Sequence, residues 1–405
     1  MATIAVLGSF DTKADEHKFV AQFIKERGHA VIYIDVGILA PPNLIPDIDR
    51  VVVASAGGSS IETLAAVRDR GEAIATMSKG APIVVSQLAS EGRIQGIISL
   101  GGGGGTAVGT SAMRALPIGF PKVMVSTLAS GNTAHYVGLK DIVMVPSVVD
   151  VAGLNRISRR ILTLAAGAIC GMVEAPPASA NQDKPVIAAS MFGNTTDCVQ
   201  AAKRLLEASG YEVLVFHATG VGGRTMESLI EDRLVTGVLD ITTTEWADEI
   251  VGGFLSAGPT RLEAAARTGT PAIVTPGCLD MVNFYGPDTV PQHFRNRNLY
   301  SHNPQVTLLR TSPEECQKIG KAIAERVNLS VGPVSVLLPL RGISVISAPG
   351  QKFHDPEADK ALFASIKENL RKDIPLRELD LLINDPQFAE ACASELIVNI
   401  GKLKV

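Results

Sequence analysis

The stretch "IAVLGSFDTKADEHKFVAQFIKERGHAVIYIDVG", Ile4 to Gly37, decides the fold, because the chain contains it twice. Its counterpart is "VIAASMFGNTTDCVQAAKRLLEASGYEVLVFHATG", Val186 to Gly220. Ile4 aligns with Val186, Asp15 with Asp197, Gly28 with Gly210 and Val31 with Val213. Each copy reads as an apolar strand, a small polar loop, an amphipathic helix, a glycine and a second strand. The helix faces are Phe19, Val20, Phe23 and Ile24 in one copy and Val199, Ala202, Leu205 and Leu206 in the other, at helical spacing. The two glycines stand where a helix stops before a strand.

The correspondence continues. "AGGSSIETL" (Ala56 to Leu64) resembles "VGGRTMESL" (Val221 to Leu229), "GIISLGGGG" (Gly96 to Gly104) resembles "GVLDITTTE" (Gly237 to Glu245), and "KVMVST" (Lys122 to Thr127) parallels "PAIVTP" (Pro271 to Pro276). Between the halves lies "EAPPASANQDKP", Glu174 to Pro185, a proline-rich polar linker. The strands are continuous apolar runs alternating with helices, as in parallel sheets covered on both faces. The expected class is therefore α/β: two pseudo-duplicated Rossmann-like domains with parallel sheets, facing each other across a cleft. The expected boundaries are a first domain over 1–174, a linker over 175–185, and a second domain over 186–405 with extra C-terminal helices.

Composition limits the function. Aromatic residues make up 4% of the 405, which suits tightly packed α/β layers better than a β-sandwich. The net charge of −4 and the lack of a basic stripe argue against nucleic-acid binding. The longest apolar run, Ile161 to Val173, is too short to span a bilayer, so no membrane partner is expected. Five cysteines, scattered and without a C-x-x-C pair, read as small buried hydrophobes in a reduced, cytoplasmic protein. The "MATIAVLGSF" start reads as a first strand rather than a signal peptide. Apolar surface on the helix expected over Leu154 to Glu174 makes a homodimer the expected assembly.

In open parallel sheets ligands bind beyond the C-terminal strand ends, so the loops that follow strands carry the chemistry. In the first half these loops read as "GSFDTK", "DVG", "SAGGSS", "GGGGGT" and "STLASGNT". Five consecutive glycines, Gly101 to Gly105, are costly to order. Followed by a helix, they let an anion approach free N–H groups at a positive helix end. The expected phosphate-binding set is Asp11, Thr12, Lys13, Asp35, Gly57, Gly58, Gly101, Gly102, Gly103, Gly104, Gly105, Thr106, Ser130, Gly131 and Asn132. Asp35 is the candidate to hold a ribose. The run lacks the lysine of a G-x-x-x-x-G-K-[ST] loop, and its G-x-G-x-x-G match has little specificity in so glycine-rich a stretch.

The second half places threonines and acids where the first has glycines. Asp240, Glu245 and Asp280 are candidate oxygen ligands for a divalent cation such as Mg2+, or candidate general bases. Thr244 before acidic residues also suits a plain helix cap. His302, in the segment Gln292 to Thr311 rich in His, Arg and Asn, and Arg341 are candidates to orient an anionic substrate.

The motifs "IAVLGSFDTKADE", "LGGGGGT", "MVPSVVDVAGLN", "GVLDITTTEWADEIVGG", "PGCLDMVNFYGP", "HNPQVTLLRT" and "FHDPEADKALF" together resemble the family of the N-terminal ATP-binding region of the tomato mosaic virus resistance protein. The resemblance covers nearly the whole chain. It implies two Rossmann-like subdomains and ATP as the ligand, with Gly101 to Thr106 and Phe10 to Lys13 at the nucleotide. It assigns no catalytic residue. The expected function is ATP binding, coupled to an ATP-dependent reaction on a small anionic metabolite. A nucleotide-gated regulatory or protein-binding module is the alternative, and a dinucleotide-dependent oxidoreductase a third reading.

Overall fold

A computed structural model describes residues 1–67, 69–175 and 183–403. Most of the expected linker, 176–182, lies outside the described residues. The chain divides into two compact units, Met1–Ala178 and Ser179–Val405.

The first unit holds a parallel five-stranded sheet. Its strands are β1 (Thr3–Gly8), β2 (Ala30–Asp35), β3 (Gly96–Gly101), β4 (Lys122–Ser126) and β5 (Val143–Pro146), in the order β2-β1-β3-β4-β5. Alternate side chains go to opposite faces. Ala5, Leu7, Ile97 and Met124 pack under helices Arg50–Ala56, Arg70–Ser90 and Gly103–Arg114, through Val53, Met77 and Val108. Ile4, Val6, Ile98 and Val125 pack under helices Ala14–Glu26 and Arg156–Glu174, through Val20, Ile24, Leu162 and Ile169.

The second unit contains β6 (Val186–Met191), β7 (Glu212–His217), β8 (Gly237–Thr242), β9 (Ala272–Gly277), β10 (Met281–Phe284), β11 (Leu299–Asn303), β12 (Val306–Arg310), β13 (Val334–Pro339) and β14 (Leu376–Leu379). Its parallel sheet runs β14-β13-β9-β8-β6-β7. Read from the other edge, this is the strand order of the first unit with one strand added, so the duplication is topological as well as sequential. One face carries helices Val221–Glu231, Pro313–Val327 and Pro356–Asn369. The other carries Thr196–Ala208 and the C-terminal helix Pro386–Gly401, whose Phe388 and Leu396 join Val199 and Leu206 in its core.

Register adjusts the sequence alignment by one residue. Ile4 pairs with Val31, but Val213 pairs with Ile187, so Ile187 is the structural counterpart of Ile4. The second unit is one residue shorter between its first strand and first helix.

Two local readings change. "RVVVASA", which precedes "GGSS" and reads as a strand, is a helix, Arg50–Ala56. The Asp49 side chain accepts from Val51 N at 2.8 Å and caps it, and only Val53 and Ala54 are buried. The segment Gln292 to Thr311 is not a plain loop, since β11 and β12 pair antiparallel there and β10 extends them into a three-stranded sheet. The long helix Arg70–Ser90 contains Pro82, which leaves the Ser78 carbonyl without its helical donor. The Ser111 hydroxyl donates to that carbonyl at 2.7 Å, which ties this helix to Gly103–Arg114.

Candidate functional site

In the first unit the strand order reverses direction between β1 and β3, the position where open α/β sheets leave a crevice. A cavity of about 390 Å³ lies there. Asp11, Thr12 and Lys13 border it after β1, Val36 and Ile38 after β2, and Gly102 to Gly105 after β3. Arg70, Ile74 and Met77 come from the long helix, and Asp150 from the segment after β5. The structure thus brings together two expected groups far apart in sequence, Asp11 to Lys13 and the glycine run.

The glycines divide by role. A Cβ on Gly101 would lie 2.8 Å from Gly105 Cα, so the turn from β3 into the helix admits no side chain there. Around Gly102 and Gly103 there is room: an added Cβ would meet nothing nearer than 3.7 Å and 3.9 Å. Packing does not require glycine at these two positions, and they face the cavity. Gly102 is the N-cap of the helix Gly103–Arg114 and offers no side-chain acceptor to its first N–H groups. Thr106 turns away from the cavity, with its hydroxyl 2.6 Å from Ser126 Oγ.

The flanking charges are specific in their contacts. The Lys13 ammonium donates to the Val151 carbonyl. Asp11 Oδ2 accepts from Leu39 N at 2.8 Å, which folds the segment after β2 over the cavity. The Arg70 side chain has no ion pair or hydrogen bond among the described residues. Asp35 is fully buried and does not border the cavity. Its Oδ1 accepts from Phe10 N at 3.0 Å and Gly37 N at 2.8 Å, and burial pushes its carboxyl above the usual range. It shapes the two loops from beneath.

Gly57 and Gly58 are elsewhere. They end the helix Arg50–Ala56, and a Cβ on Gly57 would fall 2.2 Å from the Thr76 carbonyl oxygen, so this glycine serves the crossing of two helices. Ser130 borders a separate depression of about 340 Å³ that shares Asp150 with the main cavity. Gly131 lies in the loop beside it, and Asn132 Oδ1 accepts from Ala134 N at 3.1 Å.

The second unit fills its equivalent position. Thr242, Thr243 and Thr244 are fully buried, and Thr242 Oγ1 is 2.7 Å from Thr195 Oγ1. Asp240 and Glu245 are indeed brought together, but around a guanidinium. Arg261 donates from Nη1 and Nη2 to the two Asp240 oxygens at 2.6 Å each, and from Nε to Glu245 Oε2 at 2.7 Å. Glu227 completes the set at 3.0 Å from Nη1. Arg261 thus stands where the sequence suggests a divalent cation. Glu245 Oε1 also accepts from Gly220 N and Gly223 N, at 2.8 and 3.1 Å, at the start of helix Val221–Glu231. The anion at that helix end is the protein's own carboxylate.

Asp280 stands apart from this set. Its Oδ2 accepts from Ser344 Oγ at 2.7 Å, and burial raises its pKa to about 6 against the pull of Arg310. His302 is exposed on β11, and Arg341 borders a different cavity beyond β13. The five expected catalytic residues therefore form no single constellation. Among the described residues no group of three or more His, Cys, Asp or Glu side chains is arranged to hold a metal ion. All five cysteines are buried. No helix there is long and apolar enough to cross a membrane.

Sequence reasoning missed Arg70, Asp150 and Arg261. Arg70 opens a helix capped by Asp69 and carries no motif. Arg261 had a signal: a lone arginine in the small-residue stretch "SAGPTRLEAAA".

Comparison with known proteins matches residues 2–178 to the "Uncharacterised protein family (UPF0261) N-terminal domain" and residues 184–400 to the C-terminal domain of the same family. A UPF0261 protein of Clostridium tetani is 52% identical over 395 residues, 97% of this chain and 98% of its own. Another, from Rhizobium meliloti, is 46% identical over 97% of this chain and 98% of its own. The ToMV resistance protein Tm-1(GCR237) of Solanum lycopersicum is 39% identical over 96% of this chain, which spans 55% of that longer protein. The chain belongs to the UPF0261 family, and the tomato resistance protein is a homologue of it.

Proposed function

We propose that the first unit binds ATP in the cavity between β1 and β3. The observation that carries this reading is the contrast between two helix starts. In the second unit the helix after β8, Glu245–Val251, begins closed: Thr243, Thr244 and Glu245 are buried and Glu245 is bonded by Arg261. In the first, the helix Gly103–Arg114 opens on a cavity through bare glycine backbone. The triphosphate would lie on the N–H groups of Gly103 to Gly105, with Lys13 and Arg70 beside it. Val36, Ile38, Ile74 and Met77 give the base an apolar bed, and the volume suits a small ligand. Asp150 is the carboxylate placed to meet a magnesium ion carried by the phosphates.

The proposal extends to an ATP-dependent step on a small anionic metabolite. A second reading, nucleotide-gated binding without turnover, is favoured by Arg261, which neutralises two carboxylates a reaction would draw on. Calorimetric titration with ATP and magnesium tests the binding, and ADP release separates the two readings. Saturable heat is expected, and its absence would overturn the proposal. Homodimer formation through the exposed Ile157 and Leu164 of helix Arg156–Glu174 is also proposed, and light scattering checks it.

A further inference from the structure

Beyond the C-terminal end of β13, Leu340 and Arg341 border a cavity of about 340 Å³ in the second unit, with His354, Lys360 and Phe363 on its other sides. The strand exit is fixed, because Leu340 N donates to Leu379 O at 2.9 Å and Arg341 N to Leu381 O at 3.1 Å. The acids that border the cavity already have partners. Asp359 pairs with Arg310 at 2.5 Å, and Glu378 with Lys367 at 2.8 Å. Arg341 and Lys360 have no side-chain hydrogen bond or ion pair among the described residues. His354 Nδ1 lies 3.1 Å from the Ser347 carbonyl, which can only accept, so this nitrogen carries the hydrogen. Phe363 is 7% exposed and gives the cavity an apolar wall.

The balance at this edge is two unmatched cations over an apolar wall, at the sheet edge where α/β folds hold ligands. We infer that this cavity is a second small-molecule site, which takes a carboxylate or phosphate monoester with an apolar body. Arg341 and Lys360 hold the oxyanion, and Phe363 packs against the body. Guanidinium favours planar bidentate capture of either group. The inference stands apart from the nucleotide reading, since it uses none of the residues of the first unit.

The test is a titration of the full chain with benzoate, phenyl phosphate and inorganic phosphate, followed by NMR. The variants are Arg341→Gln, Lys360→Gln and, as a control on another helix of the same unit, Lys318→Gln. At least one aromatic probe is expected to bind, at least tenfold tighter than inorganic phosphate. Arg341→Gln weakens it at least tenfold, Lys360→Gln weakens it too, and Lys318→Gln does not. Which aromatic probe binds better separates carboxylate from phosphate. ATP titration of the same variants is unchanged, so failure here is distinct from failure of the nucleotide reading. The inference is overturned if neither aromatic probe binds at about 10 mM, the range of a very weak site. Binding equally tight in Arg341→Gln overturns it as well.

Discussion

Gly101 and Gly105 meet across the turn from β3 into its helix so closely that a Cβ on Gly101 would stand 2.8 Å from Gly105 Cα. Gly103, two residues on, has space around it. The glycine run therefore combines a packing requirement with an open approach, and substitution separates them. Gly101→Ala should destabilise the protein by about 1–3 kcal/mol, as overpacking does. Gly103→Val should leave stability nearly unchanged and weaken ATP binding at least tenfold, because its side chain would stand where the phosphate approaches. Urea unfolding and calorimetry on both variants check this. Equal ATP affinity in Gly103→Val and wild type would leave the run with a packing role alone.

Arg70 borders the cavity without an internal partner. Its loss should therefore be felt by a ligand and not by the fold. Arg70→Gln is expected to melt with the wild type and to bind ATP about fivefold more weakly, with a shallower dependence on salt. A matching loss of stability would mean that Arg70 acts structurally.

The duplicated architecture was readable because each half repeats the same order of strand, loop, helix and glycine, and the structure returns the same strand order twice. The candidate cavity was partly readable for the same reason: it lies at the strand ends, and Asp11 to Lys13 border it together with Gly102 to Gly105. What stayed hidden depended on tertiary pairing. Three consecutive valines at 51–53 favour a strand by composition, yet Asp49 caps them into a helix. Asp240 and Glu245 read as a cation site because Arg261, remote in sequence, is the cation. His302 is conspicuous in sequence and exposed in the fold.

Arg261 is 1% exposed and touches three carboxylates, so removing it strands buried negative charge. Arg261→Met should cost about 3–5 kcal/mol in urea unfolding. Combining it with Asp240→Asn and Glu245→Gln should recover part of that loss, because the stranded charges go with the arginine. If the triple variant is as unstable as the sum of its parts, these three side chains do not act as one network.

Asp248 is the clearest titrating group of the fold. It is buried, it accepts from Asn283 N at 3.0 Å and Asn283 Nδ2 at 2.8 Å, and no cation pairs with it among the described residues. Burial raises its pKa to about 7, with Glu245 adding repulsion, above the 3.8 expected when unfolded. Between these values the folded chain holds a proton that the unfolded chain has released. The stability this group contributes is complete below the unfolded pKa and is lost as pH rises through 7. From pH 5 to pH 8 the loss is roughly 3 kcal/mol. Asp248→Asn removes the titration and keeps the shape, since the buried Asn283 Oδ1 has no partner and can accept from the new amide after rotation. Urea unfolding at both pH values should therefore show a smaller fall in the variant than in the wild type. Equal falls would mean that Asp248 is ionised in the folded protein and that its charge is stabilised by its three donors, the two from Asn283 and Leu255 N at 3.3 Å.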